Sequence, residues 1–304
     1  MSNSAAQFMA SDRFQNILGL SCVENHVLLF LMQNGIDIRP LYEDSLISLS
    51  DMIKEKIVFG KKYTDKGSVP RIHEHLSEAG YLLMKPENKN AVSLLKYVSK
   101  HEKDKMTLIQ VTPKFAKTVL HTRGWRNDHF VRIVDDKGRL LMLNDIPSLW
   151  HPIELKELSK SYVGRLLRFE LINKKFTFPP NVKAIDKLYS PQNFNIEKDL
   201  CDSCVSMQKL YNLLLYYKTM RYRTKDYVSL FTDTEFMYES LNKTEALFMT
   251  VSYMMLRNQY DFESEYRILK QLCDIESEML KALKDKLNAA VILKKSVKED
   301  ERGR

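Results

Sequence analysis

The strongest hydrophobic pattern near the start of the chain lies in LGLSCVENHVLLFLMQNG, residues 19–36. Val27, Leu28, Leu31 and Met32 recur at the spacing of one helical face, and Asn34-Gly35 supplies a C-terminal stop. Ser21 and Glu24 match the S-x-x-E capping box, in which the hydroxyl accepts from the amide three residues on and the carboxylate reaches back. Cys22 is therefore predicted to be the first residue of a buried helix. Further along, Ser68-Val-Pro70 opens a predicted helix through Ala79, and Gly80 releases the chain into the strand YLLMK. Another helix is predicted from Asn90 to about His101, and a strand in MTLIQVTP, 106–113. HFVRIV, the turn DDKG and RLLMLND then form a β-hairpin over 129–145, followed by a helix over 153–160 and a strand over 164–171.

From about residue 195 the pattern is helical only. The stretch NKKFTFPPNVKAIDKLYSPQNF, 173–194, carries Pro179-Pro180 and Ser190-Pro191 and reads as a linker. The expected organisation is an α+β domain over 1–180, a region of three or four helices over 195–292, and a polar, disordered tail over 293–304. No internal repeat is present.

Composition narrows the class. A chain of 304 residues that is 44% hydrophobic can bury one large core or two ordinary ones. Four cysteines do not make a disulfide scaffold at this length. The polar N-terminus does not read as a secretory signal, and no apolar run approaches the ~20 residues of a membrane span. A reducing cytoplasm is expected, with no membrane partner. The formal charge of +8 suits an acidic partner. Lys218, Arg221, Arg223 and Lys225 form the densest basic cluster and are the candidate docking face. The neighbouring Tyr216, Tyr217 and Tyr222 lie at helical spacing and read as core and rim, so nucleic acid is not expected. Cys201-Asp-Ser-Cys204 is a single C-x-x-C without a second pair, and no metal is expected.

At a helix start, unpaired N–H groups and the positive end of the dipole favour a thiolate, the nucleophilic form of Cys22. A base is then required. His26 lies four residues on along the same helix, held too rigidly to align with the thiol and leave room for substrate. His73 and His75 read as solvated, and His101, His121 and His151 have no partner pattern. His129 opens a strand whose hairpin mate ends in Asn144-Asp145. A turn centred on Asp136-Lys137 pairs His129 with Asn144, Val131 with Met142 and Ile133 with Leu140, and opposed residues share a face. A one-residue bulge would bring Asp145 opposite instead. Either residue could accept the Nδ1 proton of His129 and leave Nε2 to take a proton from the thiol. Attack on a carbonyl also needs donors for the oxyanion; the Cys22 amide is one, with Gln15 and Asn16 as candidates for the second.

The segments SCVENHVLLFLMQNGID, DHFVRIVDDKGRLLMLND and GRLLRFEL resemble the butirosin biosynthesis protein H N-terminal-domain family of the papain-like superfamily, with a more distant likeness to double-glycine leader peptidases. The resemblance covers about residues 15–172. It implies a papain-like fold with an antiparallel sheet, a catalytic Cys22, His129 and Asp145, and Asn144 as the alternative orienter. The related peptidases carry an aspartate just before a proline at this point, where this chain reads Asp145-Ile-Pro147 with one residue inserted. The activity implied is acyl transfer in antibiotic biosynthesis. A γ-L-glutamylated 4-amino-2-hydroxybutyryl group would pass from the phosphopantetheine arm of an acyl carrier protein, through acyl-cysteine, to an amine of an aminoglycoside such as ribostamycin. No cofactor of the enzyme's own is implied. Two rival expectations use the same residues differently: a cysteine peptidase with water as acceptor, and a catalytically silent binding module.

Overall fold

The computed structural model describes residues 22–60, 81–84, 95, 98–100, 104–115, 129–144, 150–171, 177–189, 206–259 and 261–302, with backbone only for 81–84, 99–100 and 290–302. The chain divides into two compact units, Met1–Ile38 with Arg71–Phe178, and Arg39–Pro70 with Pro179–Arg304. The chain leaves the first unit at residue 39, returns at 71 and leaves it again at 179.

The first unit is mixed helix and sheet. Helix α1, Cys22–Gln33, begins and ends where the pattern places it. Its last turn closes as a Schellman motif: the amide of Gly35 donates to Met32 O at 3.0 Å and that of Ile36 to Leu31 O at 3.1 Å. The motif needs a left-handed residue after the helix, which Gly35 supplies at φ 76°.

The strands are β1 Tyr81–Met84, β2 Ser99–Lys100, β3 Lys105–Val111, β4 His129–Asp136, β5 Arg139–Leu143, β6 Trp150–Pro152 and β7 Tyr162–Leu171. They lie in the order β1-β7-β3-β4-β5-β6 with antiparallel neighbours, while β2 pairs with β4 in parallel. Ser99–Lys100 was expected at the end of a helix. Within that predicted helix Leu95 lies in a turn and Val98 in a bend; its remaining residues, and the helix over 68–79, lie outside the described residues. Helix α3, Leu155–Ser161, packs Leu158 into a core with Ile109, Val111, Val131, Ile133, Met142 and Leu166. Those residues make one face of β3 and β4; the alternate residues Leu108, Gln110, Phe130 and Arg132 make the other. Burial on both faces explains why TLIQV reads as a continuous apolar run rather than an alternating one.

The hairpin turns one residue later than expected. Lys137 and Gly138 both have positive φ, 55° and 85°, as a two-residue hairpin of the primed type requires. Asp135 Oδ1 accepts from the Gly138 amide at 2.7 Å and favours that turn over one centred on Asp136. The register becomes Ile133 opposite Met142 and Arg132 opposite Leu143. A shift of two in the residue sum preserves parity, so His129, Val131 and Ile133 still share a face with Met142 and Asn144.

The second unit is helical. Residues Arg39–Ser45 form a 3₁₀ helix, α2 spans Leu49–Ile53, and a π turn covers Lys54–Val58. A second 3₁₀ helix, Val182–Tyr189, buries Ala184, Ile185 and Leu188 inside the stretch read as linker. Three long helices follow: α4 Met207–Val228, α5 Met237–Arg257 and α6 Phe262–Arg302. Backbone helix thus reaches Arg302 where a disordered tail was expected. Residues 293–302 contain no Gly or Pro and several good helix formers, and they extend a helix already nucleated. Polar contacts draw 39–60 into this unit: Arg221 Nη2 donates to Ile47 O at 2.9 Å, and Thr224 Oγ1 to Ser45 O at 3.2 Å.

Candidate active site

Cys22 opens α1 with a free, partly exposed thiol. Its predicted cap, Ser21, lies outside the described residues; Glu24 is buried in the first turn. His26, one turn along, is fully buried, and its Nε2–H donates to the carbonyl of Phe130 at 3.3 Å. Further along α1, Gln33 Oε1 accepts from Arg132 Nη1 at 2.6 Å. Moving forward along the helix therefore moves forward along β4, from Phe130 to Arg132. Cys22 lies one turn, or ~6 Å of rise, before His26. His129 lies one residue before Phe130. The start of α1 therefore lies toward the start of β4.

His129 is fully buried on the core face of β4, and its Nε2–H donates to Asn144 Oδ1 at 2.9 Å. Asn144 is equally buried, one residue past the end of β5. Continuing the register places it opposite Val131, diagonal to His129. That offset is why the far ring nitrogen, Nε2, reaches the amide. The sequence expectation had Nδ1 meeting the orienting residue; it is Nε2 that meets Asn144. Asp145, Gln15 and Asn16 lie outside the described residues. Among the described residues, hydrogen bonding joins His129 to Asn144 and joins neither to Cys22. Cys22 belongs to the helix that covers the Phe130 and Arg132 face of β4, whereas the His129 side chain projects to the opposite, core face.

Arg132 was not singled out by sequence. It projects toward α1, its guanidinium 5.6 Å from the Phe30 ring and 5.9 Å from the Trp150 ring, both within cation–π range. Trp150 is in line with it across the sheet, through Leu143. Burial lowers the Arg132 pKa to about 10. Its position beside Gln33 supplies a cation at the C-terminal turn of α1, which carries no basic residue of its own. Only register and packing reveal this role, since the sequence shows a lone arginine in an apolar strand.

The basic cluster proposed as a docking face is interior. Arg221 and Arg223 are fully buried and Lys225 nearly so. Arg221 is ion-paired through Nη2 to Glu276 Oε1, and its Nε donates to Glu276 Oε2 at 2.9 Å. Arg223 lies 5.4 Å from the Tyr42 ring and Lys225 4.3 Å from the Tyr238 ring. Lys218 pairs with Glu245 at 3.2 Å. Arg221 and Lys225, four residues apart, share one side of α4, while Arg223, two residues from each, lies toward the other, so the helix is covered on more than one side. Tyr216 and Tyr217 are core, as expected.

Among the described residues, no group of three or more His, Cys, Asp or Glu side chains is placed to hold a metal, and no helix is long and apolar enough to cross a membrane. No family model, curated protein or solved structure matches this chain.

Proposed function

We propose that the protein is a cysteine acyltransferase in which Cys22 carries the acyl group, His129 moves the proton and Asn144 orients the imidazole. The observation that carries this reading is the buried His129–Asn144 hydrogen bond at the start of a strand, with the start of the Cys22 helix lying toward it. A histidine that donates Nε2–H to a buried amide oxygen has its ring orientation and tautomer fixed, with Nδ1 as the basic nitrogen. Catalytic pairs are often longer before substrate binds.

In the proposed reaction His129 takes the Cys22 proton, the thiolate attacks the thioester carbonyl of a donor, and the donor thiolate leaves and receives that proton from His129 as acyl-cysteine forms. An amine then attacks that carbonyl, His129 takes the amine proton, and Cys22 leaves as thiolate. Both steps exchange one acyl bond for another and need no redox partner or metal. The donor proposed is an acyl group on the phosphopantetheine arm of an acyl carrier protein, in a reducing compartment. An aminoglycoside amine is the proposed acceptor, and Asp145 is the further candidate for an orienting group.

Intact-mass spectrometry after mixing with acyl-carrier thioesters tests the reading. The expected result is a single acyl adduct on Cys22, lost in Cys22→Ala and discharged by aminoglycoside amines. An adduct discharged equally fast by water alone would make the protein a hydrolase. No adduct with any thioester would leave the binding-module reading.

A further inference from the structure

Gln110 is the penultimate residue of β3, opposite Phe130 on the sheet face that α1 covers. The next pair is Val111 opposite His129, so Gln110 is level with the start of β4. Phe130 is the residue whose carbonyl receives His26, one turn from Cys22. The side chain of Gln110 is 8% exposed, and its Oε1 is buried without a hydrogen-bond partner among the described residues.

A buried carbonyl oxygen left without a donor bears its desolvation penalty in full, so it calls for a reason. The sheet supplies a second irregularity at the same place. Between Ile109 opposite Leu166 and Val111 opposite Tyr162, the single residue Gln110 faces three residues of β7. Gly164 lies in that bulge at φ 88°, and Val163 is exposed beside it. Bulges of this kind redirect side chains and concentrate beside active sites.

We infer that Gln110 is a substrate-contacting residue whose side-chain amide binds an amide group within the acyl chain delivered to Cys22. The orphan atom is an acceptor, so its partner must donate; a thioester carbonyl cannot, whereas an amide N–H can. The Nε2 of the same side chain can donate to that amide's carbonyl, giving a paired contact that selects amide-bearing acyl chains over hydrocarbon chains of equal length. This specificity rests on the acyl-transfer reading of Cys22 and adds a residue to it.

The test compares two thioesters of 3-mercaptopropionate, whose leaving arm has no N–H: N-acetyl-β-alanyl and hexanoyl. The rate of acyl-Cys22 formation is followed by intact mass. The wild-type chain should favour the amide donor by about tenfold, the value of one net hydrogen bond of ~1.4 kcal/mol. Gln110→Leu should erase that preference, the two donors then acylating Cys22 at equal rates within the variant. An unchanged preference in folded Gln110→Leu overturns the inference and leaves the acyltransferase standing.

A second arm does not depend on acyl transfer. In Cys22→Ala, ¹⁵N-labelled protein is titrated with N-acetyl-β-alanine methylamide. The Gln110 side-chain NH₂ signals, identified by their loss in Gln110→Leu, should shift. Unmoved signals overturn the inference even if Cys22 acylates. Shifted signals with no acylation would keep the amide site and remove the acyl-transfer reading.

Discussion

His129 and Asn144 are held by a 2.9 Å hydrogen bond between two residues that the register sets diagonally, both sealed from solvent at the end of a hairpin. Its energetic and chemical roles can be separated by substitution. His129→Ala should lower acyl transfer by ~10²-fold or more, as loss of general acid–base catalysis does. Asn144→Ala should lower the rate too, and also reduce stability by about 1–3 kcal/mol because the ring N–H stays buried without that acceptor. Single-turnover kinetics and urea unfolding on both variants check this. Wild-type rates in Asn144→Ala would remove it as the orienter and leave Asp145.

His26 is assigned a structural role, since its Nε2–H goes to the Phe130 carbonyl and ties α1 to β4. His26→Ala should show its main effect in unfolding free energy, by about 1–3 kcal/mol from lost packing and hydrogen bonding. Cys22 should still be acylated in the folded fraction. If His26→Ala folds as well as wild type yet loses acylation more completely than His129→Ala, the assignments of the two histidines must be exchanged.

In the second unit Glu276 receives both Arg221 and the Tyr217 hydroxyl, the latter at 2.7 Å. Burial draws the Arg221 guanidinium down most strongly, but the charges of Glu276 and Tyr217 and the hydrogen bonds to both together hold the group above its ordinary value. Glu276→Ala should destabilise the chain by about 3–5 kcal/mol, leaving a buried cation without its counter-charge. The double change Arg221→Met/Glu276→Leu should recover most of that loss. Denaturant melts decide the matter. Acidic replacements at Arg221 and Arg223 should for the same reason unfold the unit rather than weaken a docking surface.

Tyr227 and Tyr189 anchor the 3₁₀ helix and its approach. Tyr227 donates to Asn181 O at 2.8 Å and Tyr189 to Leu280 O at 3.1 Å. Burial first, and then carboxylates, Glu43 for Tyr227 and Asp186, Glu276 and Asp285 for Tyr189, raise both hydroxyls to about 12. The unfolded chain ionises near the ordinary tyrosine value of 10.0, so their contribution is complete below that pH and is lost as pH rises toward about 12. Tyrosinate absorbance of these residues should lag behind that of exposed tyrosines and rise together with loss of helical circular dichroism. Tyr227→Phe should flatten the fall in stability over that window. A wild-type alkaline profile in Tyr227→Phe would show that its hydroxyl is not part of the transition.

Sequence by itself determined the elements whose signals are local. The Cys22–Gln33 helix, its Asn34-Gly35 stop, the hairpin, the helix before β7 and the three long helices follow from periodicity, caps and turn residues, which act within a few positions. It also marked His129 and Asn144 as partners, because a two-residue change in register cannot move a side chain to the other face. Tertiary structure decided what depends on residues far apart in the chain. Which ring nitrogen of His129 meets Asn144 was set by a diagonal offset that appears only once the turn closes on Lys137-Gly138. Arg221 and Arg223 looked like a solvent-facing cluster because charge reads as exposure in a one-dimensional pattern; Glu276, 55 residues from Arg221, makes burial possible. Residues 39–60 joined the helical unit through hydrogen bonds to α4 across more than 170 positions, a separation at which no local pattern carries information. Gln110 gave no signal at all in sequence, since one glutamine in an apolar strand becomes notable only when the sheet buries its oxygen without a donor beside Phe130.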